Sequence, residues 1–247
     1  MFRTAFNAQP LYVVRERLRC AKVETLPNDG GRMVLVRDQA QGFFAGDNDR
    51  HGSSESIERT CRFSRATTNA VLDFAIAEGA REFGGVGGID AVVMAYKFHL
   101  LDLRFAHWIE DYARDTGVDV RVFQPDTVNR NLLRGTYRGK NVVIVGGNEW
   151  GDIMHADILA RAGLGNQDER CSRNVYLLPG LGGLTEYQTV HGSADDIAGR
   201  ERVNPTATLR AAAQILEAHV GVSGLMKAVE IGVASAAAAG IRTPDVG

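Results

Sequence analysis

Cysteine, excess charge and long apolar runs are all scarce in this 247-residue chain, and each scarcity removes a class of function. Cys20, Cys61 and Cys171 are the only cysteines, far apart and in no shared motif. An odd, scattered set argues against a disulfide framework or a thiolate metal site, and reads as reduced thiols that pack rather than react. Lys and Arg total 28 against 30 Asp and Glu, a formal charge of −2. That balance gives no electrostatic reason for a nucleic-acid or anionic-membrane partner. No apolar run approaches the length that spans a bilayer. The opening stretch, MFRTAFNAQPLYVVRERLRC, lacks the uninterrupted apolar segment of a secretory signal. Internal repeats and low-complexity tracts are missing too. What is left is an expected cytoplasmic, soluble protein, 45% hydrophobic and long enough for a substantial core.

What is present alternates. RMVLVR reads as a short buried strand, and the polar stretch from Gly46 to Glu58 as a mobile loop. Arg65 to Arg81 has helical spacing, with Val71, Phe74, Ala75 and Ile76 on or near one face. DAVVMAY, VDVRVF and NVVIVGG then read as strands, separated by LRFAHWIEDYARD and TVNRNLLRG as helices. DIMHADILARAG reads as a helix, VYLL and TEYQTV as strands, and two last helices start at Pro205 and near Leu225. A βαβαβ series of this kind implies a parallel sheet with right-handed crossovers.

The residues that follow each strand carry the chemistry. Arg37 follows RMVLV, Lys97 follows DAVVMAY, Asp126 follows VDVRVF and Asp152 follows NVVIVGGNEW. Parallel strands share one carboxyl edge, where α/β proteins build their sites, so these four should crowd one rim. Two cations and two carboxylates could hold a divalent metal and an anionic, oxygen-rich substrate. Ordinary surface charge at strand ends is the alternative. A second cluster, HGSADDIAGRERVNP from His191 to Pro205, combines glycines, paired aspartates and a helix-starting Asn-Pro. Freed backbone N–H groups ahead of a helix suit a nucleotide or another anion. A plain surface loop, capped by Asn204 with Pro205 at the first helical position, reads equally well.

Three stretches, GNEWGDIMHADILARAGLG, HGSADDIAGRERVNPTATL and AAAAGIRTPDVG, resemble the isocitrate and isopropylmalate dehydrogenase family in content, order and spacing. The segments VR…GFFAG and Lys-x-His fit the same pattern. The resemblance implies an α/β fold: a parallel or mixed sheet flanked by helices, isopropylmalate-dehydrogenase-like, lacking the N-terminal part of the nucleotide-side domain. It also implies a catalytic and dimerisation-like domain over 27–175, with 1–26 and 176–247 packed as the remnant of the nucleotide-side domain. By that resemblance Lys97 moves protons at the substrate hydroxyl and the enol. Asp126 and Asp152 hold Mg²⁺ or Mn²⁺, Asp126 reaching across a homodimer interface, and Arg37 grips the carboxylate of a small 2-hydroxy or β-keto acid. His191, Gly192, Ser193, Ala194, Asp196 and Asn204 correspond to the segment that wraps the adenosine end of NAD or NADP.

The departures fall in the pocket. Phe44 stands where the family has a tyrosine acid, and a phenyl ring has no proton to give. His155 and Ala156 replace a Ser-Asp pair, removing a metal carboxylate, with Asp157 one position further on. His99 stands where an asparagine follows the lysine, and Arg15 is the weak counterpart of the first substrate arginine. His99 and His155, with Asp152 and Asp126, would suit a transition metal, unless each histidine is only a hydrogen-bonding group. Three readings follow: a divergent decarboxylating dehydrogenase, its missing wall supplied by a rearranged dimer or a full-length paralogue; a repurposed non-redox decarboxylase, lyase or isomerase; or a non-catalytic regulatory subunit that binds a nucleotide or an acid. Binding of NAD or NADP by the isolated chain is expected to be weak.

Overall fold

The computed structural model describes residues 20–45, 50–164, 170–177, 184–189 and 195–245. Nine strands are present among them: β1 (Cys20–Asn28), β2 (Gly31–Asp38), β3 (Arg50–Gly52), β4 (Ile57–Arg59), β5 (Ala91–Ala95), β6 (Val120–Phe123), β7 (Val142–Gly147), β8 (Cys171–Tyr176) and β9 (Thr185–Thr189). Six α-helices accompany them: α1 (Arg65–Phe83), α2 (Arg104–Thr116), α3 (Pro125–Leu133), α4 (Asn148–Ala162), α5 (Thr206–Ile215) and α6 (Leu225–Ala238). Seven strands form one mixed sheet, in the order β6-β5-β7-β2-β1-β8-β9. β2, β5, β6 and β7 run parallel, and β1 is antiparallel to β2 through a tight turn at Asp29–Gly30.

Sequence pattern explains the central strands. VLV in β2, VVM in β5 and VVIV in β7 are continuous apolar runs, as strands covered on both faces require. One face packs Val34, Val36, Val92, Met94, Val143 and Val145 against Val71, Leu72 and Ala75 of α1 and Phe105 and Ile109 of α2. α4 lies against β2 and β7, burying Met154, Ile158 and Leu159. Ser64 caps α1, its Oγ accepting from Thr67 N–H at 3.1 Å, and Gly84 ends it at φ +79°.

Four elements differ from the sequence reading. β1 breaks the apolar pattern because buried Lys22 and half-buried Glu24 are polar residues within it. The expected loop over Gly46–Glu58 contains a hairpin, β3 paired antiparallel with β4. α4 begins at Asn148 rather than Asp152, running through Gly151, a poor helix former whose missing Cβ leaves room for the Arg37 side chain. β8 occupies Cys171–Tyr176, shifted from the apolar VYLL.

The chain divides into two compact units, Met1–Ala162 with Asn174–Thr185, and Gly163–Arg173 with Glu186–Gly247. In the second unit α5 and α6 pack together, tied by Arg210 to Glu230 through two bonds of 2.8 and 2.9 Å. No residue of α6 is buried.

Candidate functional site

The first unit brings the strand-end residues into two ion pairs. Arg37, at the end of β2, reaches Asp152 on the first turns of α4 at 2.7 Å. Lys97, directly after Tyr96 at the end of β5, reaches Asp126 on the first turn of α3 at 3.0 Å. Each pair joins the tail of one parallel strand to the start of the helix after its neighbour. Both therefore lie at the carboxyl edge of the sheet.

The two pairs differ in environment. The Arg37 side chain is 10% exposed and also donates to Asn148 Oδ1 at 3.1 Å. Burial pulls its guanidinium pKa down, against the upward pull of Asp152. The Lys97 side chain is 35% exposed and its ammonium stands 5.8 Å from the centre of the Trp150 ring. Asp126 is 72% exposed. The Lys97 hydrogen bond, with a backbone N–H of the helix start, holds the Asp126 carboxyl below the usual carboxylate range.

Beside Lys97 opens a cavity of about 500 Å³. Phe43, Phe63, Leu100, Leu101 and Trp150 give it apolar walls, and Asp38, Gln41, Tyr96 and Glu149 also border it. Asp38 is fully enclosed there. Its carboxylate accepts from Tyr96 Oη at 2.7 Å, Gln41 Nε2 at 2.9 Å and Ala40 N–H at 2.9 Å. Burial pushes the Asp38 pKa up against those bonds, and burial with the Asp38 charge pushes Tyr96 well above its ordinary value. The turn after Lys97 is strained. Phe98–Leu101 forms a 3₁₀ turn, and Asp102 and Leu103 follow at φ +55° and +58°.

The other expected site residues are scattered. His99 lies on that 3₁₀ turn, its Nδ1 2.6 Å from Gln124 Nε2. Phe44 is half-buried, and it is Phe43 that lines the cavity. His155 is on the same face of α4 as Asp152 but one turn deeper. It is buried, with Nε2 2.9 Å from Glu24 Oε2 of β1, so it is not brought to the rim. Asp157 is half-buried on α4. Among the described residues no three His, Cys, Asp or Glu side chains cluster as a metal site would need. Asp196 is exposed in a short turn, Asp195–Ile197. Asn204 accepts from Thr206 N–H at 3.0 Å, capping α5, and donates to Asp245 at 3.0 Å. Arg15, His191, Gly192, Ser193 and Ala194 lie outside the described residues.

Sequence reasoning missed Asp38, Gln41 and Tyr96. The available signal was adjacency: Asp38 follows Arg37 and Tyr96 precedes Lys97 at two strand ends that share one edge.

With that geometry in hand, likeness to known proteins becomes informative. The pattern of the isocitrate/isopropylmalate dehydrogenase family matches residues 2–247. The 3-isopropylmalate dehydrogenase of Oleidesulfovibrio alaskensis is 35% identical over 227 residues, covering 88% of this chain and 59% of the relative. That of Moorella thermoacetica is 23% identical over 252 residues, covering 97% and 64%. This chain thus spans less than two thirds of the relatives it matches. Among solved structures, a β-decarboxylating dehydrogenase from Thermococcus kodakarensis aligns with a TM-score of 0.62 at 24% identity, over 88% of this chain and 61% of that one. The isocitrate dehydrogenase of Methylococcus capsulatus gives 0.63 at 20%, over 90% and 65%. These structures share the fold, and the match along nearly the whole sequence decides the lineage: the chain belongs to the isocitrate/isopropylmalate dehydrogenase family.

Proposed function

We propose that this protein acts on a small 2-hydroxy or β-keto carboxylic acid, in the decarboxylation chemistry of its family. The observation that carries this reading is Lys97, which lines the cavity and is paired with Asp126. In a mostly apolar site an ammonium attracts a carboxylate more strongly than it would in water. For a β-keto acid the C–C bond to the carboxylate breaks, CO₂ leaves and the electron pair passes into an enolate. Lys97 Nζ–H then gives its proton to the enolate carbon, and solvent restores it. Arg37 holds Asp152 in place and keeps a fixed positive charge behind the rim, drawing the acid's carboxylate toward it. His99, beside Gln124, flanks the entrance.

Neither expected cofactor is fitted by the described residues of one chain. A divalent cation needs several oxygen ligands, and Asp126 and Asp152 are each engaged by a cation instead. We infer that Mg²⁺, Mn²⁺ or a transition metal would be held only in a homodimer that brings Asp126 of one chain to Asp152 of another. Such a dimer would scatter light as twice 26.8 kDa, and Mn²⁺ would raise its Tm in wild type but not in Asp152→Asn. For NAD or NADP, the two described residues are Asp196, exposed, and Asn204, which caps α5.

A non-redox decarboxylase on the same scaffold is favoured by one specific observation: Phe44 carries no hydroxyl. The test is CO₂ release from oxaloacetate above the uncatalysed rate, run beside NAD⁺ and NADP⁺ reduction with malate. CO₂ release without cofactor reduction selects the non-redox enzyme, and both together select the dehydrogenase. The absence of both overturns the enzymatic reading and leaves an acid-binding regulatory subunit.

A further inference from the structure

We propose that a cavity at the amino edge of the parallel strands binds an α-amino acid with a large apolar side chain, held as its zwitterion. The space is about 420 Å³, within the range of ligand pockets. It is lined by the turn before β5, by β5 and β6 themselves, and by residues between 131 and 140. Ala91, the first residue of β5, borders it, whereas Tyr96 and Lys97, past the last, border the cavity at the carboxyl edge. From Ala91 to Lys97 the chain advances about 20 Å at the rise of a parallel strand. A ligand at the amino edge therefore does not meet the rim, and the proposal is independent of the acid-binding reading.

The lining is divided between apolar surface and charge. Val86, Ile89, Val93, Val118 and Phe123 supply the apolar part, and Asp90, Asp119, Arg121 and Lys140 bring two charges of each sign. Each of the four keeps bonding capacity. Asp90 and Asn141 form a reciprocal pair, in which Asp90 N–H donates to the Asn141 carbonyl and Asp90 Oδ2 accepts from Asn141 N–H, both at 2.8 Å. That pair fixes the Asp90 carboxylate and leaves its Oδ1 open. Arg121 gives Nε–H and Nη2–H to one oxygen of Asp119, at 3.0 and 2.7 Å, so Asp119 Oδ1 and Arg121 Nη1 are open too. Lys140 has no ion-pair partner among the described residues. Tyr137, only 7% exposed, accepts from Asn131 Nδ2 at 3.4 Å and has no acceptor for its own proton among the described residues. Donors on Lys140, Arg121 and Tyr137 suit a carboxylate, and acceptors on Asp90 and Asp119 suit an ammonium. A plain acid would face both aspartates, and a plain amine both cations. A zwitterion answers the two signs together, and an apolar side chain covers the remaining surface.

The test is calorimetric titration of the full chain with L-phenylalanine, 3-phenylpropionate, phenethylamine and glycine. The last three lack in turn the ammonium, the carboxylate and the ring, and phenylalanine is expected to bind at least about tenfold more tightly than each. Asp90→Asn removes a charge and keeps an oxygen for Asn141 N–H, while Lys140→Met keeps an apolar stem without the ammonium. Each variant is expected to weaken phenylalanine binding at least about fivefold, with the Tm of the ligand-free protein as in wild type. Lys97→Met is expected to bind phenylalanine as wild type does. No heat with phenylalanine at millimolar concentration, or equal binding of 3-phenylpropionate or phenethylamine, would overturn the proposal on the wild-type protein alone. Binding lost in Lys97→Met but intact in Asp90→Asn and Lys140→Met would overturn it too, by placing the ligand at the carboxyl edge.

Discussion

The two ion pairs at the sheet edge are built alike and are fitted for different work. Arg37–Asp152 and Lys97–Asp126 both link a strand end to a helix start, at 2.7 and 3.0 Å. Arg37 is sealed under α4, with the Gly151 backbone laid against its side chain: a Cβ at Gly151 would come within 2.6 Å of Arg37 Cγ. Lys97 stands at a cavity wall with a largely solvated partner. Proximity of opposite charges therefore says little by itself. Burial decides whether a pair holds the fold or remains available for chemistry.

Activity offers the strongest way to break this contrast. Lys97→Met keeps much of the stem that packs near Trp150 and removes the ammonium. CO₂ release is expected to fall by at least about 100-fold, the size of a lost proton-transfer group, while stability shifts by less than about 1 kcal/mol. Equal losses of stability and activity would erase the distinction between the pairs.

Stability tests the other half. Asp152→Ala leaves the buried Arg37 charge with Asn148 as a hydrogen-bond partner and the weaker pull of Glu149 and Glu24, and because the Asp152 side chain is itself 52% exposed the expected cost in denaturant unfolding is about 1–3 kcal/mol. Asp126→Ala, at a more exposed carboxylate, should cost clearly less than Asp152→Ala. Comparable losses in the two variants would mean that exposure is not what separates them. Gly151→Ala probes the same seal sterically. The added methyl must displace the Arg37 side chain, for an expected loss of about 1–3 kcal/mol despite the better helix propensity of alanine.

The contrast also explains what was legible in the sequence. Strand ends in a βαβ series identify a shared edge, so Arg37, Lys97, Asp126 and Asp152 could be grouped from order alone. Apolar runs located β2, β5 and β7 for the same reason: burial on both faces leaves a continuous signature. Depth was not legible. His155 and Asp152 are three residues apart and share a face of α4, yet one helical turn carries His155 some 5 Å along the sheet to Glu24. β1 escaped notice because Lys22 and Glu24 are polar where a strand pattern asks for apolar residues, and the cover over Lys22 and the contact of Glu24 with His155 come from residues distant in sequence. The cavity was hidden because its lining comes from four separate segments, around residues 38–43, 61–63, 96–101 and 147–150.

The smallest expected effect concerns Asp38, whose carboxyl is buried at the cavity that Lys97 also lines. Burial raises its pKa in the folded protein above the unfolded value, so between those two values the folded state binds the proton more tightly. Stability from this group is complete below the unfolded carboxylate pKa, falls as pH rises toward the folded value, and is level above it. Tyr96, Gln41 and the Ala40 N–H oppose the shift by stabilising the ionised form, which keeps the decline modest. Asp38→Asn removes the titration and can keep the Ala40 bond through its amide oxygen, with the Tyr96 hydroxyl turned to accept from the amide NH₂; that NH₂ meets the Gln41 Nε2 donor, so the variant loses stability at every pH and the slope, not the level, is compared. Unfolding free energy measured from pH 4 upward should therefore fall less steeply in Asp38→Asn than in wild type. A steeper fall in the variant would show that the bonds to Tyr96 and Gln41 outweigh burial, and that Asp38 sits ionised behind the cavity as an electrostatic partner for Lys97.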